Sequence, residues 1–190
     1  MWIFQIFRKN YLLIKKIKTK FKELFLLKGI THNDNRGFFR ELIHQNIIPK
    51  KIVFSVISKS KKNVLRGLHF QTKNPQGKFL SVIKGKIFDV AVDLRKNSKT
   101  YLQYYSCEIS EKNNLGIYIP PGFAHGFYCF SKENIVLYGC TNYRNKNSEK
   151  GLIWNDKTLN IKWPKKKPII SNKDAMNITL KDYLSIWKNI

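Results

Sequence analysis

The sequence predicts an all-β domain, a sandwich or barrel of short strands with short helices at its periphery. Runs rich in β-branched and aromatic residues recur about every ten residues, and clusters of Gly, Pro, Asn and Asp punctuate them. Length and composition agree: 190 residues, 43% hydrophobic and 14% aromatic, suffice for one domain with its own core and are too apolar for a disordered chain.

In chain order, residues 1–20 read as an N-terminal extension ahead of a single domain over 21–190. Met1 to Leu13 fits a short amphipathic helix, and Lys15 to Lys20 a basic connector. Arg8 and Lys9 interrupt the apolar residues there, unlike the h-region of a signal peptide. Phe25-Leu-Leu27 is a strand. Thr31 to Gly37 is turn chemistry, with His32 a solvated loop residue. Phe38 to Leu42 is a strand, and a short helix near Ile43–Ile47 stops before Pro49. Lys51 to Ile57 is a strand, Ser58 to Asn63 a polar loop, and Asn63 to Gln71 a strand. A loop follows to Lys78, with Pro75 and Gly77 in it. Phe79–Ile83 and Ile87–Asp93 read as a hairpin about Lys84-Gly85-Lys86. Tyr104–Ile109 and Leu115–Ile119 are strands. Pro120 to Gly126 is a turn entering a strand at Phe127–Phe130, and Ile135–Thr141 is the last clear strand. Gly151 to Trp163 reads as irregular, and a helix is expected after Lys173.

The net charge is +24. Lysines occur throughout, with clusters at 15–20, 59–62 and 165–167, but no zinc-finger spacing, arginine-rich helix or RNP-type motif accompanies them. The expected partners therefore exclude nucleic acid, and the positive field favours a phosphorylated substrate. No run of about 18 apolar residues exists, so no membrane partner is expected. Cys107, Cys129 and Cys140 lack metal-like spacing and sit among apolar neighbours, as reduced thiols of a cytoplasmic protein do.

The chemistry centres on Asn63-Val-Leu-Arg-Gly-Leu-His-Phe-Gln71. A straight strand puts Leu65, Gly67 and His69 on one face and Arg66, Leu68 and Phe70 on the other. Facing into a small barrel, His69 is a candidate base. Arg66 suits bidentate phosphate recognition, and Lys78 follows Gln76-Gly77 on a loop able to reach the same mouth. His125, in P-P-G-F-A-H-G-F, has small neighbours that leave room for a ligand; the alternative is stacking between Phe123 and Phe127. Tyr138 alternates with Val136 and Cys140 and is either a proton donor or a core residue. Metal-binding barrels usually present H-x-H followed by an acid. Here position 71 is Gln and the chain has four histidines, so no metal is expected.

Taken together, these runs resemble the dTDP-4-dehydrorhamnose 3,5-epimerase family over about residues 21–180. The resemblance rests on R-G-F-F at 36–39, S-K-S-K-K-N-V-L-R-G-L-H-F-Q at 58–71, Q-G-K at 76–78 and F-D-V-A-V-D-L-R at 88–95. It continues with P-P-G-F-A-H-G-F at 120–127, L-Y at 137–138, G-L-I-W-N-D at 151–156 and S-N-K-D at 171–174. It implies a cupin-type jelly-roll β-barrel, a homodimer, no metal and no cofactor, and a nucleotide-activated, dTDP-linked 4-keto-6-deoxy sugar as substrate. By the same resemblance His69 matches the general base, Asp174 its carboxylate partner, Tyr138 the acid on the opposite face and Lys78 the residue that stabilises the enolate. Arg36, Glu41, Arg66, His125, Glu149 and Lys173 match substrate-contacting positions. One departure stands out. Phe54-Ser-Val56 replaces the family's usual Gln-x-Asn, whose amides contact substrate. It leaves open a 3- or 5-monoepimerase of another nucleotide sugar, or an inactive sugar-nucleotide-binding barrel.

Overall fold

The computed structural model describes residues 14–187. Thirteen strands run through them: β1 (Ile14–Lys18), β2 (Phe25–Gly29), β3 (Thr31–Asp34), β4 (Gly37–Arg40), β5 (Phe54–Lys61), β6 (Leu65–Gln71), β7 (Lys78–Lys84), β8 (Lys86–Asp93), β9 (Tyr104–Ser110), β10 (Leu115–Ile119), β11 (Phe123–Cys129), β12 (Glu133–Cys140) and β13 (Glu149–Gly151). Two short helices, α1 (Asn172–Ala175) and α2 (Leu180–Trp187), close the chain. A six-stranded sheet, β1-β2-β10-β7-β12-β5, packs against a five-stranded sheet, β13-β6-β11-β8-β9, and β3 and β4 form a separate hairpin. All the ladders are antiparallel. This is the expected jelly-roll barrel of cupin type.

Three apolar layers hold it. Between the sheets, Leu26, Leu80, Val82, Ile117 and Val136 meet Ile87, Ala91, Ile109, Phe123 and Phe127. The outer face of the five-stranded sheet buries Leu68, Phe70, Val90, Val92 and Ala124 under Leu152, Leu159 and Leu180 of the C-terminal region. The outer face of the other sheet buries Phe25, Leu27, Phe79 and Tyr118 under Ile48, with Ile43, Ile47 and Ile52 beside it. β11 is therefore covered on both faces, and all seven of its residues are buried. Each large apolar side chain so enclosed contributes roughly 1.5–3 kcal/mol of transfer free energy.

Several local expectations change. The helix expected over Met1 to Leu13 lies outside the described residues. Lys15 to Lys20, expected as a connector, begins as the edge strand β1, paired to β2 from Ile14↔Gly29 to Lys18↔Phe25. Lysines suit such an edge because they discourage further strand pairing. Thr31 to Gly37 is mostly strand: β3 and β4 pair from Thr31↔Arg40 to Asp34↔Gly37. No helix forms at Ile43–Ile47. The segment makes only turn bonds, Ile47 N to His44 O and Ile48 N to Gln45 O, before Pro49 ends it.

Ser58 to Lys61 is strand, because β5 pairs with β12 along its whole length. β7 and β8 are not a hairpin. The chain turns at Gly85 (φ +86°) and crosses from one sheet to the other. That crossing lets β6 and β12, which carry the candidate catalytic groups, face each other.

Candidate active site

A cavity of about 360 Å³ opens between the sheets, lined by Phe54, Val56 and Ser58 of β5, Arg66 and His69 of β6, Lys78 of β7, His125 of β11, Tyr138 and Cys140 of β12, and Glu149 of β13, among others. Arg66 and His69 were expected on opposite faces, yet both line it. On the β6–β11 ladder, His69 pairs with His125 and Arg66 with Phe127. Three steps along β6 thus span two along β11, and the extra residue is a β-bulge that restores both side chains to one side. The bulge sits at Gly67, whose φ is +122°. A Cβ there would lie 2.5 Å from Gly126 Cα and 2.7 Å from His125 O, both main-chain atoms of the buried β11. Gly67→Ala is expected to destabilise the fold by ~3 kcal/mol or more. Denaturant unfolding measures this, and an unchanged midpoint would show that the bulge tolerates a side chain.

His69 Nε2–H donates to Asp174 Oδ1 at 2.7 Å. The other carboxylate oxygen accepts Gly67 N–H at 3.3 Å. Asp174 lies in α1, where Ser171 caps the helix and its Oγ accepts Asp174 N–H at 3.1 Å. The S-N-K-D run is thus a cap and one turn that press a carboxylate against β6. Burial works to raise the Asp174 carboxyl, but the bond and charge of His69, the Gly67 N–H and the charge of Lys173 outweigh it and hold the group below the usual carboxylate range. With Nε2 carrying the shared proton, Nδ1 of His69 is the free acceptor.

The opposite sheet supplies Tyr138 and Lys78. Tyr138 shares a hydrogen bond of 3.2 Å with Ser58 Oγ. Burial pushes its phenol well above the ordinary value despite that bond, so it stays protonated. Lys78, expected on a loop, is the first residue of β7 and pairs in register with Cys140. Burial pushes its ammonium down, against the opposing pull of Cys140, Glu149 and Asp89.

His125, expected in a turn, lies in mid-strand, because only Pro120-Pro121-Gly122 turns before β11 begins. Its Nε2–H donates to Asp89 Oδ2 at 2.8 Å. Asp89 is fully buried and its other oxygen has no hydrogen-bond partner. Glu149 accepts from Arg144 Nη2 at 2.6 Å and pairs with Lys173 Nζ at 3.1 Å. Burial would raise its carboxyl, but these two cations outweigh it and lower it. Arg66 donates from Nε to Ser60 Oγ and from Nη2 to Lys59 O.

Arg36 and Glu41 are not brought to the cavity lining. Arg36 is paired to Asp34 at the tip of the β3–β4 hairpin, and Glu41 is 4.0 Å from His44. Among the described residues, no three His, Cys, Asp or Glu side chains converge as a metal site would require. Asp89, Ser58 and Arg144 escaped the sequence reading. Asp89 carried a usable signal: an acid between Phe88 and Val90 in an apolar strand has to be buried with a partner.

The sequence profile of the dTDP-4-dehydrorhamnose 3,5-epimerases matches residues 18–182. The chain belongs to this family. It is 44% identical over 167 residues to the dTDP-4-dehydrorhamnose 3,5-epimerase of Salmonella typhimurium, covering 84% of this chain and 91% of that one. Solved structures agree. The dTDP-6-deoxy-D-glucose-3,5-epimerase of Legionella pneumophila, in complex with dTDP-4-keto-L-rhamnose, superposes with a TM-score of 0.85 at 38% identity, over 88% of this chain and 93% of that one. The Bacillus anthracis dTDP-4-dehydrorhamnose 3,5-epimerase, with TDP and PPi bound, gives 0.85 at 37% identity, over 88% and 99%. Sequence and fold thus agree on the family.

Proposed function

We propose that the chain inverts C3 and C5 of a dTDP-4-keto-6-deoxyhexose, converting dTDP-4-dehydro-6-deoxy-D-glucose to dTDP-4-dehydro-L-rhamnose. One observation carries the reading: a paired imidazole on one sheet and a protonated phenol on the other line a single cavity, with a half-buried lysine on the phenol's sheet lining it too. Inverting a carbon next to a ketone needs that arrangement. The C4 carbonyl acidifies the hydrogens at C3 and C5. His69 removes one through Nδ1, while Asp174 holds the tautomer and stabilises the imidazolium. Charge moves onto the carbonyl oxygen, where the Lys78 ammonium stabilises the enolate. Tyr138 returns a proton from the other face, and the same steps invert the second carbon. Arg66, His125, Glu149 and Lys173 position the substrate, with Arg66 suited to its diphosphate. Incubation with dTDP-4-dehydro-6-deoxy-D-glucose in deuterated water tests the reading. Deuterium should enter at both C3 and C5. Its absence from both carbons would refute the substrate, and label at one alone would identify a monoepimerase.

The free thiols of Cys107, Cys129 and Cys140 support a cytoplasmic setting. A homodimer accounts for Arg36 and Glu41. The hairpin that carries Arg36 exposes Phe38 (67%) and Phe39 (66%), and the edge strand β5 exposes Ile57 (69%). These surfaces suit a second copy, whose cavity the hairpin would complete. A mixture of two inactive variants, His69→Ala and Arg36→Ala, is then expected to recover activity, because one site of each mixed dimer holds both native residues. No recovery after subunit exchange would place Arg36 in its own chain's site or outside any site.

A further inference from the structure

We infer that Ser58 acts through Tyr138 as a proton relay: its hydroxyl returns a proton to the phenol between the two inversions, so that one tyrosine serves both C3 and C5 in a single binding event. The inference rests on the double inversion proposed above and specifies how the far-face acid is reset. Each inversion leaves the site in the wrong protonation state. One proton passes from carbon to His69 Nδ1, and another passes from the Tyr138 hydroxyl to carbon. An imidazolium and a phenolate remain. The same two groups act on the second carbon, so both must be reversed before it can invert. With the sugar held between them, the phenolate has to regain its proton through a neighbouring group of the protein.

The β5–β12 register supplies that neighbour. Tyr138 pairs with Val56, and Ser58 lies two residues further along β5 on the same face. Such a diagonal neighbour is within reach of a long aromatic side chain. Ser58 Oγ lies 3.2 Å from the Tyr138 hydroxyl, which makes no other hydrogen bond among the described residues. Ser58 also lines the cavity, and it is only half-buried on β5, the last strand of its sheet. A hydroxyl suits the task because it donates and accepts at once. Ser58 O–H gives its proton to the phenolate oxygen while Oγ takes one from a water molecule. The hydroxide so formed is neutralised by the proton that the imidazolium gives up, so water is neither consumed nor made. The surroundings of the phenol favour this route. Burial opposes the phenolate most, and the Ser58 hydrogen bond is the strongest influence in its favour, with the Arg66 charge assisting more weakly.

Ser58→Ala tests the relay. It leaves His69, Asp174, Lys78 and Tyr138 in place, and alanine fits wherever serine does, so the variant keeps the fold. The unaltered full chain and the variant are each given dTDP-4-dehydro-6-deoxy-D-glucose, and nuclear magnetic resonance follows the singly and doubly inverted sugars over the first turnovers. The first inversion starts from the resting phenol and should be affected less than the second. Free singly inverted sugar should therefore build up, raising the ratio of singly to doubly inverted product by about tenfold or more. Ser58→Thr keeps a hydroxyl and should restore the ratio of the unaltered chain. An unchanged ratio in Ser58→Ala overturns the inference. So does an equal slowing of both inversions, the mark of a serine that only orients the phenol, and so does a threonine variant with the alanine ratio. The two readings fail separately: an unaltered chain that inverts neither carbon removes the proposed reaction and the relay with it, whereas one that inverts both, beside an alanine variant of the same ratio, removes the relay alone.

Discussion

His69→Ala is expected to abolish deuterium exchange at both C3 and C5, with a loss of about 10²–10⁴ or more in turnover, while the barrel stays folded. The imidazole lines the cavity, and its partner Asp174 is held by Gly67 N–H and the Ser171 cap as well, so the dyad's frame does not depend on the ring. Retained exchange in a folded variant would remove His69 as the base. Asp174→Asn should cost nearly as much, because an amide no longer fixes the tautomer that leaves Nδ1 free.

The same pair gives a pH dependence of stability. The Asp174 carboxyl is lowered in the folded chain, so its stabilising effect is complete above the ordinary carboxylate value of 3.8 and is lost as pH falls through the depressed one. The stability gap between the unaltered chain and Asp174→Asn should therefore close on acidification through that range. Denaturant titrations at successive pH values measure it, and a gap that widens with acid would reverse the assignment.

Much of the barrel was legible because turn chemistry is local. Pro75-Gln-Gly77, Gly85 and Pro120-Pro-Gly122 mark strand ends from their own dihedral needs, and strands appear between them. What was not legible depends on partners. The pattern around Gly85 fits a hairpin and a crossing between sheets equally, and only packing of β7 and β8 on opposite layers separates them. Ser58 to Lys61 has the polarity of a loop because β5 is an edge strand, where charge is favoured. β11 lost its start because a strand buried on both faces shows no alternation, and His125 was therefore assigned to the turn before it.

The site divides the same way. His69, Tyr138 and Lys78 were identifiable from residue type in recognisable runs. That Arg66 joins His69 in the cavity was not, since one inserted residue at Gly67 reverses the facing of everything before it. The Asp89–His125 pair needed the register of β8 against β11, which no local pattern encodes.

Tyr138→Phe is expected to separate the two halves of the reaction. Proton removal depends on the His69–Asp174 pair and Lys78, all of which remain. Delivery from the far face depends on a hydroxyl the variant lacks, and burial keeps that hydroxyl protonated in the unaltered chain. The enolate should still form, with the imidazolium that made it poised on the face from which the proton left. Reprotonation from the same side restores the starting configuration. In deuterated water, substrate should therefore gain deuterium without inversion as the imidazolium exchanges with solvent, while epimer formation falls about 10²–10⁴-fold. Removing the hydroxyl also frees Ser58 Oγ from its 3.2 Å hydrogen bond, a modest loss that leaves the ring's packing on Phe127 in place. Nuclear magnetic resonance reads label and configuration together. If inversion and exchange fall by the same factor, Tyr138 acts before the enolate and not as the far-face acid; if inversion persists at the original rate, the proton comes from another group and the two-sheet division of base and acid fails.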